Sequence, residues 1–159
     1  MRRLVTLTCL GVLVLAGCGE RSAPDAVDAF VTSFNEGTLA EQDDLFSSSP
    51  SQVQLEALAV LARTCTIDAQ SASVSEEFVT PFSRTFGAIV DCDGIQYAVI
   101  ANVTKDCWSD ADVNDCAKNF RVSPSALPGG EHAGELSGYG LPISITSLEP
   151  LKVSDIDAK

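Results

Sequence analysis

The chain has 159 residues, 45% of them hydrophobic, and its 22 Asp and Glu outnumber its 10 Lys and Arg. This length suits one domain, and this hydrophobic content excludes a chain that is disordered throughout. The excess of acidic residues excludes nucleic-acid binding through a general basic field, because that interaction needs clustered Lys and Arg.

The N-terminal segment has the pattern of a cleaved secretory signal. Arg2 and Arg3 precede an uncharged run at residues 4–15, and the small residues Ala16 and Gly17 follow. A membrane-spanning helix needs about 20 predominantly apolar residues. A run this short therefore predicts a signal peptide at residues 1–17 and not a permanent span.

Residues 15–18, Leu-Ala-Gly-Cys, resemble the lipobox of bacterial lipoproteins, in which an aliphatic residue and two small residues precede a cysteine. The resemblance implies that the Cys18 thiol carries a diacylglyceryl group, that the signal is cut before Cys18 and that acyl chains such as palmitate anchor the protein. Two or three acyl chains hold a protein on a bilayer where a single chain does not. We therefore expect a membrane-anchored protein of the cell envelope, with residues 18–23 as lipidated cysteine and tether and residues 24–159 as a single domain.

The same resemblance implies a position on the periplasmic or extracytoplasmic side, and Gly19 after the cysteine favours the outer membrane if the organism is Gram-negative. After removal of the signal, eight basic residues face 22 acidic ones, a formal charge of −14. Anionic headgroups repel such a domain, whereas a basic protein is attracted to it. The expected partners are therefore the membrane, through the lipid, and a basic envelope protein.

Once Cys9 leaves with the signal and Cys18 is lipidated, four cysteines stay in the domain. They are Cys65, Cys92, Cys107 and Cys116. An even number in an exported protein predicts two disulfides, with three possible pairings. None of the four lies in a C-x-x-C pair and His132 is the only histidine, so we expect no zinc site and no other cofactor.

The middle of the domain has the pattern of a β-hairpin. Asp93-Gly94 is a two-residue turn signal between an apolar run at residues 85–92 and another at residues 95–104. Pairing across this turn sets Cys92 opposite Ile95, Val90 opposite Tyr97, Ala88 opposite Val99 and Phe86 opposite Ala101. One face is then apolar and Cys92 points to the core, as in a sheet covered mainly on one side.

The disulfide pairing follows from a helix before this hairpin. Ser49 is its expected N-cap, with Pro50 first in the helix and Gln52 completing a capping box, and helix formers fill residues 53–64. A helix packed on the apolar side of the hairpin brings its end toward the turn. The sequence thus predicts the pairs Cys65–Cys92 and Cys107–Cys116.

Two further helices are predicted near the start of the domain. The first helix begins after Ser22 and spans residues 24–36, with one apolar face formed by Val27, Phe30, Val31 and Phe34. Gly37 is the expected C-terminal cap. Thr38 and Glu41 form a second capping box, which opens a short helix through Phe46.

The C-terminal half predicts strands around a loop. Residues 71–81 form a strand with Val74 toward the core, and residues 141–148 form a last strand with Ile143 and Ile145 on one face. Five glycines and two prolines make residues 123–140 a mobile loop. Helices followed by an antiparallel sheet predict the α+β class, with N-terminal helices packed on a small sheet.

Residues 27–37, followed by Leu45-Phe46, resemble the first helices of NTF2-like (cystatin-like) domains. The resemblance implies a curved sheet that wraps around a long helix and often forms an apolar pocket for a small ligand. The family hosts enzymes, binding modules and assembly domains alike, so the resemblance does not select a function. Isomerase-type catalysis would need an Asp base and a Tyr acid in one pocket, and the predicted register sets Asp91 and Tyr97 on opposite faces.

An acidic run suggests a calcium site as an alternative. Asp110, Asp112 and Asn114 have the spacing that opens an EF-hand loop, and Asp115 adds an oxygen donor. The sixth position of the motif should be Gly and the twelfth Glu, whereas this chain has Asp115 and Arg121. A solvated acidic turn therefore explains the run better than an EF-hand.

The interpretation that the sequence favours is a non-catalytic binding or assembly module. Trp108 stands among the carboxylates of the predicted Cys107–Cys116 loop, and Trp is common at the anchor points of protein interfaces. Trp108 is therefore the candidate interaction residue. The alternative is that Trp108 covers the core beside the disulfide.

Overall fold

The fold of the described residues confirms the predicted α+β class. The computed structural model describes residues 21–80, 82–105, 119–133, 135 and 140–155. Two longer helices pack on a five-stranded antiparallel sheet, and a short third helix follows. The elements are α1 (Ala23–Glu36), α2 (Gln52–Thr64), β1 (Cys65–Ile67), β2 (Ser73–Thr80), β3 (Ser83–Cys92), β4 (Ile95–Lys105), β5 (Phe120–Val122) and α3 (Ile143–Thr146).

Helix α1 forms as its sequence predicts. Ser22 is its N-cap: the Ser22 hydroxyl accepts from the Asp25 amide, and the Asp25 carboxylate accepts from the Ser22 amide. Gly37 closes the helix at φ 71°, a left-handed conformation that Gly adopts without a Cβ clash. The predicted apolar face is buried, and it comprises Val27, Phe30, Val31 and Phe34.

The hairpin of β3 and β4 has the predicted register. Cys92 pairs with Ile95, and the pairing continues without a break to Ser83 and Thr104. Both turn residues have positive φ, 54° at Asp93 and 85° at Gly94, as a tight two-residue hairpin turn requires. Strand order is β1-β3-β4-β5, and β2 pairs with the part of β3 that β1 leaves uncovered.

The disulfide Cys65–Cys92 is confirmed, and a short strand holds it in place. Helix α2 ends at Thr64, as predicted, and the chain then enters β1, where Cys65 lies directly opposite Cys92. The predicted start of α2 is wrong by two residues. Ser51, not Ser49, is the N-cap, because its hydroxyl accepts from the Gln54 amide.

The helix predicted from Thr38 through Phe46 is wrong. Only a 3-10 turn forms there, at Leu39–Glu41, and the Thr38 side chain makes no cap hydrogen bond. Pairing with the sheet prevents a longer helix. The Val122 amide donates to the Leu45 carbonyl and the Ser47 amide donates to the Val122 carbonyl, so this part of the chain lies along the outer edge of β5.

The strand predicted at residues 141–148 is also wrong, because this segment forms the helical turn α3. Residues two apart share a face in a strand, but they point in nearly opposite directions on a helix. Ile145 is accordingly 1% exposed and Ile143 is 85% exposed. Leu141 and Ile145 pack on Ala98 and the adjoining sheet surface, so the second face of the sheet is partly covered, beyond what the sequence predicts.

The described part of the Gly-rich stretch is more closely packed than the predicted mobile loop, and residues 134 and 136–139 lie outside the described residues. Leu127 is fully buried in the main core, directly after a 3-10 turn at Pro124–Ala126. The buried Gln54 side chain of α2 donates to the Pro124 carbonyl. The strand predicted at residues 71–81 is confirmed, because β2 forms there and Val74 packs against the core.

Candidate functional site

An open cleft lies between the chain that follows α1 and the start of α2. Its volume is about 370 Å³, and we call it the side cleft. Its lining consists of Leu39, Ala40, Gln42, Asp43, Phe46, Ser49, Pro50 and Leu55. This size falls within the range of small-ligand sites, and the lining includes both apolar and polar side chains.

The side cleft forms because the predicted second helix does not. Pairing of Leu45 and Phe46 with β5 pulls the chain onto the sheet edge, and Pro50 then leads it away into α2. Among the lining residues, Leu39 and Phe46 are buried, whereas Ala40 and Asp43 are exposed. The sequence did not predict this cleft, because the capping-box pattern of Thr38 and Glu41 predicted a regular helix in place of the irregular chain that lines it.

Aromatic side chains fill the space between α1 and the sheet. The ring of Phe30 lies 5.7 Å from that of Phe86 and 6.3 Å from that of Phe34, centroid to centroid. All three rings are buried. The helix and the sheet surface are thus in direct contact at these three rings, and the side cleft lies elsewhere.

The residues weighed for catalysis do not come together. Asp91 pairs with Gln96 and Val90 pairs with Tyr97, so the Asp91 and Tyr97 side chains lie on opposite faces of the hairpin, as predicted. His132 is exposed, and its Nδ1 lies 3.2 Å from Oε1 of Glu135, which is exposed as well. This arrangement is a surface contact between two exposed side chains and not a nucleophile with its base.

The predicted interaction and ion residues lie outside the described residues. They are Cys107, Trp108, Asp110, Asp112, Asn114, Asp115 and Cys116. Their disulfide, the interaction role of Trp108 and the ion site stay predictions. The structure does fix where this segment leaves and rejoins the sheet, because β4 ends at Lys105 and Asn119 precedes β5.

Arg21 joins the start of the described chain to this end of the sheet. The Phe120 amide donates to the Arg21 carbonyl at 2.9 Å, and the Arg21 amide donates to Oδ1 of Asn119 at 3.3 Å. The Arg21 guanidinium reaches Oδ2 of Asp44 at 2.9 Å. Residues 21–23, which the sequence analysis assigned to the tether, are therefore part of the fold. No local sequence pattern reveals the contact between Arg21 and Asn119, because the two residues are 98 positions apart.

The charged groups of Arg21 and Asp25 stabilise the N-terminus of α1. Hydrogen bonds from the Ser22 side chain and amide lower the pKa of Asp25 below its ordinary value, and the positive charge of Arg21 adds to this effect. A carboxylate in the first turn also interacts favourably with the positive end of the helix dipole. On the other side of this corner, Nζ of Lys105 lies 5.1 Å from the centre of the Phe120 ring, within cation–π distance.

Within the described ranges, no group of three or more His, Cys, Asp or Glu side chains is arranged to hold a metal ion. None of the helices described here has the length and apolar character that spanning a bilayer requires. No protein-family model, characterised protein or solved structure is significantly similar to this chain.

Proposed function

We propose that the protein is a lipid-anchored component of the cell envelope whose domain serves as a non-catalytic binding or assembly module. The lipobox at residues 15–18 supports the anchor. The buried disulfide Cys65–Cys92 suits an oxidising, extracytoplasmic compartment. In a Gram-negative organism the outer membrane is the proposed destination.

The side cleft is the observation that carries the binding role. It is concave and open to solvent, and both apolar and polar side chains line it. The acidic excess of the mature chain favours a basic partner, since complementary charge speeds encounter and excludes acidic competitors. A basic envelope protein that inserts an apolar side chain into the side cleft combines both features.

The anchor is tested by changing Cys18 to Ala. The variant should stay an unlipidated, uncleaved precursor, because the thioether cannot form without the thiol. The measurement is the mass of the protein in membrane and soluble fractions. A mature protein of normal size that stays membrane-bound after this change would remove the lipoprotein proposal.

Binding is tested by capture from envelope extract with the unlipidated mature domain. Ala40→Arg should block the side cleft and reduce capture, whereas Val53→Arg, which adds the same group to an exposed position of α2, should not. Capture should also weaken as salt is raised, because screening reduces attraction between exposed charges. Equal capture by both variants would exclude the side cleft as the binding site.

Trp108→Ala distinguishes the second candidate surface. If the Trp108 segment holds the partner, this change should mainly speed dissociation, because loss of an interface anchor acts on the off-rate. Reversal of the charges at Asp110 and Asp112 should mainly slow association. A partner that is sensitive to Ala40→Arg and indifferent to all three changes would assign binding to the side cleft alone.

A further inference from the structure

The distance between the lipidated residue and the folded domain is short. Only Gly19 and Glu20 separate Cys18 from Arg21, which pairs with the sheet through its backbone. Three residue steps span at most about 11 Å even at full extension. The Arg21 backbone therefore cannot lie farther than this from the Cys18 backbone, wherever the acyl chains are inserted.

The domain has two distinct ends along the hairpin. At one end lie Arg21, Asn119 and Lys105, the last residue of β4. We call this the anchor end. At the other end lie the Asp93-Gly94 turn and the Cys65–Cys92 disulfide. Strand β4 has 11 residues, so at about 3.3 Å per residue the two ends are about 33 Å apart.

We propose that the anchor end is a membrane-contact surface that faces the phospholipid headgroups, with the disulfide end directed away from the bilayer. This inference rests on the proposed lipidation of Cys18. The length of the connection carries it, because a tether of about 11 Å is much shorter than the 33 Å between the ends and does not allow the domain to turn over.

Basic and acidic side chains both lie at the anchor end. The Arg21 guanidinium pairs with Asp44, and Nζ of Lys105 lies 5.1 Å from the centre of the Phe120 ring. Residues 106–118, which include four Asp, leave and rejoin the sheet at this end. Asp25 and Asp44 lie beside Arg21, so net charge does not select this orientation. The tether imposes it, and a domain released from its lipid should not bind vesicles through this end.

The orientation also determines which surfaces meet solvent. Asp68, Asp91 and Asp93 lie near the disulfide end, where β1 pairs with the last residues of β3. In the proposed orientation this acidic region is the part of the domain that is farthest from the membrane. A basic partner that approaches from the aqueous side would encounter it first.

The test uses the full mature lipoprotein in nanodiscs of phosphatidylethanolamine and phosphatidylglycerol that contain a lipid with a gadolinium-chelating headgroup. Paramagnetic broadening of amide signals reports which residues approach the headgroups. The Phe120 amide should be broadened strongly, the Val99 amide in the middle of β4 less, and the Gly94 amide least.

A longer tether is the matched control. Insertion of about twelve Gly and Ser residues between Glu20 and Arg21 increases the typical reach to about 20 Å, and it should flatten the gradient from Phe120 to Gly94. The amide spectrum of the inserted variant should otherwise match that of the native chain, which shows that the fold is intact.

The outcomes separate this proposal from the lipidation itself. The intact mass of the same sample reports whether Cys18 is acylated, and an unacylated Cys18 overturns both proposals. An acylated protein whose Gly94 amide is broadened as much as its Phe120 amide, or more, overturns the orientation alone. A gradient that persists unchanged after the insertion would show that surface contacts, and not the short tether, orient the domain.

Discussion

Removal of the Cys65–Cys92 disulfide should cost the domain a large part of its stability. The two cysteines are 27 positions apart, and both are buried in the main core. In the loop-entropy model, a crosslink that closes a loop of this length lowers the entropy of the unfolded chain enough to stabilise the fold by about 3.5 kcal/mol. A domain of this size is typically stable by only about 5 to 15 kcal/mol.

The assay is urea unfolding of the mature domain, with the double variant Cys65→Ala, Cys92→Ala compared with the native chain. The midpoint should fall by an amount that corresponds to about 3.5 kcal/mol, with a similar dependence on urea concentration. Loss of the two buried sulfur atoms adds a cavity term, so the native chain with its disulfide reduced is measured beside the double variant to isolate the contribution of the crosslink. A loss below about 1 kcal/mol would refute the argument that this bridge restrains the unfolded chain.

Three further predictions test other parts of the fold. Ile145→Ala should lower the free energy of unfolding by about 2 to 3 kcal/mol, because this side chain is buried. Ile143→Ala should lower it by less than about 0.5 kcal/mol, because this side chain is exposed. Equal losses in urea unfolding would contradict a helical turn at α3. Gly37→Ala should lower the free energy of unfolding by about 1 kcal/mol in the same assay. The positive φ of Gly37 is the only cause of this loss, because no atom lies within 4 Å of the new methyl group. An unchanged midpoint would argue against the left-handed cap. The lowered pKa of Asp25 means that its ionised form stabilises the fold above the ordinary Asp pKa, and that this contribution is lost as the pH falls through the lower pKa of the folded state. Asp25→Ala should therefore lower the Tm at pH 7, and this effect should shrink as the pH falls through the lowered pKa of Asp25. A pH-independent difference would show that the carboxylate charge is not involved.

The sequence predicts the parts of this fold that depend on neighbours in the chain. The α1 caps are recognisable because Ser22 and Gly37 act on amides and carbonyls within one turn. The hairpin register follows from a two-residue turn, which leaves only one alignment of the strands. Because the register places Cys92 on the core face, the sequence predicts its disulfide with Cys65 at the end of α2, and the structure confirms this disulfide.

The features that sequence reasoning missed depend on contacts between distant residues. The 3-10 turn after Thr38 stays short because Leu45 is paired with Val122. Residues 141–148 have the alternation of a strand, yet Ile145 is buried by tertiary packing against Ala98 while Ile143 stays exposed. Tertiary contacts of this kind override local propensity.

For the candidate site, too, the features within a contiguous stretch of sequence could be predicted, and those that depend on distant residues could not. Lipidation of Cys18 stays a prediction, and it is drawn from the contiguous residues 15–18, which resemble a lipobox and lie outside the described residues. The side cleft has no sequence signal, because its lining comes from a turn, a sheet edge and a helix start that only the fold brings together. The role of Arg21 is equally hidden, since it depends on Asn119 and Asp44.

The intact mass of the protein extracted from membranes decides whether the chain is lipid-anchored. We expect a chain that begins at Cys18 and carries a diacylglyceryl group, with or without a further acyl chain on the new amino group. A chain that begins at another residue, or one with an unmodified Cys18 thiol, would contradict the lipid anchor and the membrane orientation that depends on it.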